Sequence, residues 1–136
     1  MVASTYSQWA IGNLIPYENN PRQHSNEQIQ QVADSIRTFG FINPIVIDEA
    51  GHIIAGHARV LAAKNLNYEE VPTVKVTHLN DDQLRAYRLA DNKLAENAAW
   101  DEQALKVELE YLTSIDIEFD VEITGFSTTE IDLIID

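Results

Sequence analysis

The stretch that decides the fold is IIAGHARVLAA, residues Ile53–Ala63. Its apolar start is typical of a short buried strand, Gly56 follows directly, and the small and apolar residues after it indicate a helix. Glycine at such a junction allows another group to approach the backbone closely. The first amides of a helix have no partners within the helix, and the helix dipole makes them attractive to anions. The stretch therefore predicts a strand, a tight turn and a helix, with a turn that can bind phosphate.

Two side chains of this turn can take part in binding. Arg59, in the first helical turn, carries a donor fork that suits phosphate, and His57 can donate a hydrogen bond or act as a catalytic proton carrier. The alternative is a tight turn in which Arg59 pairs with a surface carboxylate, because helix N-termini suit anions without always binding them. The residues of the turn leave both interpretations open.

Segments on both sides of the turn predict a mixed α and β chain. Runs rich in Ile, Val and aromatic residues predict strands at Tyr6–Ile11, Pro44–Asp48, His52–Ala55 and Val71–Thr77. Capping residues predict helices that begin after Ser25, Asn80, Asp101 and Ser127. On the helix after Asn80, the apolar side is expected to contain Leu84, Tyr87 and Leu94.

Residues 115–123 alternate strictly between apolar and acidic side chains. This period of two predicts a strand with one acidic face, with a partly ordered acidic linker as the alternative. The last helix starts at Ser127, and the sequence ends at Asp136, about two turns later by helix geometry. So short a final helix suggests that the sequence was cut or that the full protein continues.

Charge is distributed unevenly along a chain whose net charge is -13. Residues 1–95 contain eight Lys/Arg against ten Asp/Glu, whereas residues 96–136 contain Lys106 against twelve acids. The first part can therefore receive a phosphate, while the acidic second part would repel one. An acidic surface of this kind can instead contact a basic partner or lead into a following domain.

The absence of cysteine excludes a disulfide framework, an iron–sulfur cluster, a thiolate zinc site and a cysteine nucleophile. The four histidines show no zinc-ligand spacing, so no zinc is expected. The first residues lack the basic and apolar blocks of a signal peptide, and no apolar run has the length of a membrane span. We therefore expect a cytoplasmic protein without membrane association.

Several separated motifs carry a family resemblance. In order they are Asn20-Pro21-Arg22, Ser35-Ile36-Arg37-Thr38-Phe39-Gly40, Asn43-Pro44-Ile45-Val46, Gly56-His57-Ala58-Arg59 and Val71-Pro72. Their order and spacing resemble the ParB/RepB family of the ParB/sulfiredoxin superfamily, from about Tyr6 to Leu112. The resemblance implies an α+β fold, a small mixed sheet with packed helices. It also implies a ParB/sulfiredoxin-like domain over residues 1–112, followed by an acidic C-terminal extension over residues 113–136.

The segments Leu89–Glu96, Trp100–Glu102 and Thr124–Phe126 resemble one branch in particular, the ParB-like domain at the front of phage and prophage DNA modification methylases. This branch implies a following methyltransferase domain. The chain itself contains neither an Asp/Asn-Pro-Pro-Tyr/Phe tetrapeptide nor a cofactor-binding glycine loop. Sulfiredoxin chemistry is excluded, because it needs a thiol.

The resemblance also implies a set of site residues. Phosphate or nucleotide would be bound by Gly56, His57, Arg59, Arg22, Asn20 and Asn92. Asp91 and Asn92 would contact the Mg²⁺ of a nucleoside triphosphate complex, since hard oxygens suit this ion. In CTP-binding partitioning proteins the turn has a second arginine and the asparagine motif ends in arginine; here these positions are Ala58 and Ala95.

Three functions follow as hypotheses. The first is a nucleotide- or phosphate-binding module that acts in a DNA context, as the front domain of a DNA modification methylase. The second is a phosphotransfer, NTPase or nuclease enzyme in the same pocket, with His57 as proton carrier. The third is a protein-interaction domain that binds no phosphate. A helix face formed by Arg85, Arg88 and Lys93 could also meet DNA or phosphate, with solvated surface as the alternative.

Overall fold

A computed structural model describes residues 4–136 of the chain. The chain divides into two compact units, Met1–Glu96 and Asn97–Asp136. Across the described residues, no helix combines the length and apolar character that crossing a membrane requires.

The first unit is built on a four-stranded mixed sheet. Its strands are β1 (Ser4–Ala10), β2 (Ile45–Ile47), β3 (Ile53–Ala55) and β4 (Glu70–Val76). Their order across the sheet is β1-β4-β2-β3, in which β4 pairs antiparallel with β1 and parallel with β2, and β2 pairs antiparallel with β3. The four predicted strands and the α+β fold class are thereby confirmed.

The first unit also contains three helices: α1 (Asn26–Phe39), α2 (His57–Asn65) and α3 (Asp81–Glu96). The Ser25 hydroxyl accepts from the Gln28 N–H at 3.0 Å and begins α1, and Gly40, with a φ of 87°, ends it. Asn80 and Gln83 exchange two side-chain-to-backbone hydrogen bonds of 2.9 Å, which is the capping box expected before α3.

The core lies between the sheet and α2. Its fully buried residues are Ile45, Ile47, Ile53 and Val71 from the strands, with Val60 and Ala63 from α2. Each buried Ile or Val side chain stabilises the fold by about 1.5–3 kcal/mol relative to exposure. The α1 helix packs on α2 through small residues, Ala33 and Ala62, which are almost fully buried with Ile36. This packing fixes α2, and with it the turn that precedes it.

One expectation about α3 is wrong. Leu84 is buried as predicted, but Tyr87 and Leu94 are 38% and 66% exposed, and the second buried residue of the helix is Arg88. Leu84 and Arg88 are four positions apart and therefore share a helix face. At about 100° per residue, Tyr87 and Leu94 lie roughly 60–80° to one side of Leu84, whereas Arg88 lies about 40° to the other side, so the chosen residues did not identify the buried side.

The second unit contains α4 (Glu102–Ser114), a 3-10 helix (Val121–Thr124) and α5 (Thr128–Ile135), with Leu109 and Ile131 buried. The boundary expected between residues 112 and 113 falls inside α4. The strand predicted over 115–123 is wrong, since this part of the described chain holds no strand. Asp120 accepts from the Glu122 N–H at 2.9 Å and begins the 3-10 helix instead, because alternation makes a strand only where a neighbouring strand pairs with it.

Candidate functional site

The turn between β3 and α2 requires glycine. Gly56 has a φ of 107°, a left-handed conformation that strains other residues. A Cβ atom at this position would lie 2.8 Å from Ile45 Cδ1 and 3.0 Å from Arg59 Nη2. The backbone therefore passes directly under the Arg59 side chain, and α2 begins at His57, where the first amides of a helix have no partner within the helix.

The predicted phosphate- and metal-binding residues all line one cavity of about 310 Å³ in the first unit. They are Asn20, Arg22, Gly56, His57, Arg59, Asp91 and Asn92. They come from the loop before α1, the turn and α3, so the fold brings together positions that are far apart in the sequence. Arg88, which the sequence analysis did not assign to the site, lines the same cavity.

The cavity has a positive balance of charge in an acidic chain. Arg22, Arg59 and Arg88 line it against a single carboxylate, Asp91. The chain as a whole has a net charge of -13, so the cavity lining is positive in a strongly negative protein. A concave site lined by one sign of charge concentrates the opposite charge.

Arg59 does not form the surface ion pair that was the alternative interpretation. Its Nη2 donates to the backbone carbonyl of Pro44 at 2.8 Å, which fixes the guanidinium against the start of β2. Its Nε is buried and has no hydrogen-bond partner among the described residues. Burial lowers the pKa of Arg59, and the nearby Asp91 carboxylate raises it in part.

Arg22 connects the loop before α1 to α3. Its backbone N–H donates to Asn20 Oδ1 at 3.1 Å, and its Nη1 donates to Asn92 Oδ1 at 3.3 Å and lies 3.6 Å from Glu96 Oε1. Asn92 in turn donates from Nδ2 to the Arg88 carbonyl at 2.9 Å. Asn20, Arg22 and Asn92 thus form one network at the edge of the cavity, and Asn92 orients Arg22.

Arg88 is the site residue that sequence reasoning missed. The residue is 8% exposed, and its guanidinium carbon lies 3.8 Å from the centre of the Tyr17 ring. Its buried Nε has no hydrogen-bond partner among the described residues. Grouping it with Arg85 and Lys93 as a basic surface was wrong for Arg88. The available signal was its spacing, since it lies four residues after Leu84 and four before Asn92 on one helix face.

His57 lies in the wall of the cavity and contacts the loop. Its Nε2 accepts from the Tyr17 backbone N–H at 3.2 Å. The pKa of His57 is lowered to about 4, first by burial and then by the positive charge of Arg88 and by His24. The imidazole is therefore neutral near pH 7, and its Nε2 is occupied by the loop backbone. The role of proton carrier stays a prediction.

The side-chain oxygens of Asp91 and Asn92 on α3 are too few to hold a magnesium ion without oxygens from a bound phosphate. Asn92 Oδ1 already accepts from Arg22, and Asp91 Oδ1 lies 3.5 Å from the Tyr87 hydroxyl. Within residues 4–136, no group of three His, Asp or Glu side chains could hold a metal ion. Mg²⁺ is commonly bound by one or two carboxylates plus substrate phosphates. Asp91 fits that arrangement, in which the ion would neutralise phosphate charge.

Two family models match the chain. Residues 3–93 match the ParB N-terminal domain, and residues 103–136 match the ParB-methyltransferase HTH domain. A ParB-like nuclease domain-containing protein of Escherichia coli (strain K12), YnaK, is 50% identical over 73 residues, which cover 54% of this chain and 84% of that protein. The nucleoid occlusion protein of Bacillus cytotoxicus is 35% identical over 112 residues, which cover 76% of this chain but only 38% of that protein.

Solved structures agree on the fold. The C-terminally truncated chromosome-partitioning protein ParB from Caulobacter crescentus, complexed with CTP-gamma-S, superposes with a TM-score of 0.76 at 20% identity, over 96% of this chain and 77% of that one. A Pnob8-like ParB-N domain superposes with a TM-score of 0.56 at 19% identity, over 84% of this chain and 47% of that one. These matches confirm the ParB-like fold that the motifs indicated.

Proposed function

Because this chain belongs to the ParB N-terminal domain family, we propose that it is a module that binds the phosphates of a nucleoside triphosphate and serves a protein that acts on DNA. The observation that carries the proposal is the cavity at the turn, lined by three arginines against one aspartate. A relative of the same fold, the Caulobacter ParB, was solved with CTP-gamma-S bound, which supports a nucleotide as the ligand.

The turn has the features that phosphate binding needs. The first amides of a helix have no partner within the helix and attract anions, and the absence of a side chain at Gly56 lets the Arg59 guanidinium lie directly against the turn. Arg59 is already oriented by Pro44, so it loses little freedom when it binds an anion. A charge-assisted hydrogen bond contributes about 1.5–3 kcal/mol, so its removal should weaken binding by about 10- to 100-fold.

Binding without turnover is the expected behaviour. A general acid or base works best with a pKa near the working pH. The pKa of His57 is about 4, and its Nε2 already accepts a hydrogen bond from the Tyr17 N–H of the loop before α1. The residues therefore favour a ligand-binding module over the NTPase or nuclease alternative. Turnover of nucleotide or DNA that disappears in His57→Ala would favour the enzyme instead.

The test is a titration of the full chain with CTP, ATP and short duplex DNA, with and without Mg²⁺. Arg59→Ala is the diagnostic variant, and Arg37→Ala is the control, because Arg37 is an exposed arginine outside the cavity. We expect saturable binding of a triphosphate that Arg59→Ala weakens and Arg37→Ala preserves. The absence of binding under every condition would refute the proposal and leave a protein-interaction domain.

The proposed link to DNA methylation has a separate basis. Residues 103–136 match the ParB-methyltransferase HTH model, and they lie in the second compact unit. A helix-turn-helix element contacts DNA through its second helix. We infer that the native protein joins this module to a methyltransferase, and the coding sequence after Asp136 tests this directly.

A further inference from the structure

Arg88 is buried without an anionic partner. Only 8% of the residue is exposed, and among the described residues no carboxylate lies within ion-pair distance of its guanidinium. A buried cation is costly unless a charge or several hydrogen bonds compensate it. The guanidinium carbon lies 3.8 Å from the centre of the Tyr17 ring, and among the described residues the buried Nε has no hydrogen-bond partner. A guanidinium held in this way is free to donate hydrogen bonds to a bound anion.

Arg59, a second arginine of the same cavity, also has a buried side-chain donor without a hydrogen-bond partner among the described residues. Among the described residues, the buried side-chain polar atoms without a hydrogen-bond partner are Arg59 Nε and Arg88 Nε. Buried donors are normally satisfied by protein or by ordered molecules. Both atoms belong to residues that line one cavity, so a ligand with several acceptor oxygens would meet two guanidinium groups whose hydrogen-bonding capacity the protein does not use in full.

Tyr17 holds Arg88 in place. The Tyr17 backbone N–H itself donates a hydrogen bond to Nε2 of His57, the residue that follows Gly56 in the turn between β3 and α2. The ring over the guanidinium restricts its orientation, so Arg88, which lines the cavity, has little freedom left to lose on binding. Tyr17 therefore acts as a positioning residue for Arg88.

We infer that Arg88 is an anion-binding residue of this cavity and that, together with Arg59, it selects a chain of phosphates over a single phosphate. The inference rests on the proposed function and adds a residue and a ligand preference to it. Three arginines line the cavity against Asp91, and the Glu96 carboxylate lies 3.6 Å from Arg22, so one positive charge stays unmatched when histidines are counted as neutral. Arg59 and Arg88 belong to different helices, and a chain of phosphates offers each guanidinium its own acceptor oxygens, whereas the two would have to share one inorganic phosphate.

The experiment compares inorganic phosphate and tripolyphosphate as probes, by isothermal titration calorimetry of the full chain. We expect tripolyphosphate to bind at least about tenfold more tightly than phosphate, and Arg88→Met to remove most of that difference. Arg85→Met is the matched control, because Arg85 lies one turn earlier on α3 and is exposed; its effect should stay below about twofold. Tyr17→Ala should weaken tripolyphosphate binding, while Tyr17→Phe retains the ring and the affinity.

A structural role for Arg88 predicts a different pattern. If Arg88 only supports the fold, Arg88→Met lowers the thermal midpoint and leaves the affinity of the folded fraction unchanged. Because the substitution removes an uncompensated buried cation, we expect the midpoint of the ligand-free protein to stay equal or rise. Arg88→Lys serves as a second variant, since it keeps the charge but loses the planar fork, and it should restore affinity only in part.

The two proposals fail in distinguishable ways. If the wild type binds neither tripolyphosphate nor any nucleotide, the proposed function is refuted. If the wild type binds and Arg59→Ala weakens binding while Arg88→Met does not, only the inference about Arg88 is overturned.

Discussion

The Nε2 atom of His57 accepts a hydrogen bond from the Tyr17 backbone N–H at 3.2 Å, across 40 residues of chain. This contact joins the turn between β3 and α2 to the loop that precedes α1. The same loop contains Arg22, and the Tyr17 ring stacks on Arg88. One hydrogen bond to a neutral imidazole therefore helps to set the positions of two cavity arginines.

Protonation of His57 should release this loop. Its pKa is lowered in the folded state to about 4 from the usual 6.5, so the unfolded chain binds more protons between these values. The contribution of His57 to stability is therefore full above pH 6.5 and is lost as the pH falls to about 4. We expect the urea midpoint of the wild type to fall more steeply over this range than that of His57→Gln, whose side chain cannot be protonated.

Other titrating groups are common to both proteins, so the difference between the two pH profiles isolates His57. Parallel profiles would show that the imidazole is not held neutral in the folded protein.

Gly56→Ala should destabilise the first unit. The residue has a φ of 107° and its Cβ would lie 2.8 Å from Ile45 Cδ1, so both backbone strain and a clash oppose the substitution. We expect a loss of about 1–3 kcal/mol in the free energy of unfolding, measured by urea denaturation. Gly12→Ala is the matched control, because a Cβ there meets no atom within 4 Å; an equal loss in both variants would contradict the close approach at Gly56.

Glu96→Gln should strengthen anion binding. The Glu96 carboxylate lies 3.6 Å from Arg22 Nη1 and is more than half exposed, so the pair contributes under about 1 kcal/mol to stability. Its removal frees the Arg22 guanidinium and deletes a negative charge near the cavity. We expect the affinity for tripolyphosphate to rise by about two- to fivefold at low salt, with a smaller gain at high salt.

Glu110→Gln provides the control for Glu96→Gln, because Glu110 belongs to the second unit and pairs with Lys106. A rise in affinity that is equal in the two variants would indicate a general effect of net charge and not release of Arg22.

Arginine introduced at either cavity alanine should also strengthen binding. Ala58 and Ala95 both line the cavity, so a guanidinium at either position can reach a bound phosphate chain. We expect Ala58→Arg to raise the affinity for CTP by about tenfold, the effect of one charge-assisted hydrogen bond. Ala86→Arg, at an exposed position of α3 outside the cavity, should change it little; an unchanged affinity in Ala58→Arg would place the ligand elsewhere.

The sequence contained enough information to predict the turn but not all of the site. Gly56 between an apolar run and a helix start is a local signal, so its position and the first turn of α2 were predictable. The spacing of Arg88 from Leu84 and Asn92 indicated a shared helix face, but its burial was not predictable, because it depends on α3 packing beside the Tyr17 loop, a contact between distant parts of the chain. The same limit explains residues 115–123, since strict alternation describes one strand and cannot provide the neighbour that it must pair with.

The most direct test of phosphate binding at the turn is a two-dimensional ¹⁵N–¹H NMR titration of the full chain with tripolyphosphate. The amide signals of residues 56–60 and the Nε–H signals of Arg59 and Arg88 should shift together and saturate at one ligand per chain. Shifts confined to other residues, or none at all up to millimolar ligand, would contradict a phosphate site in this cavity.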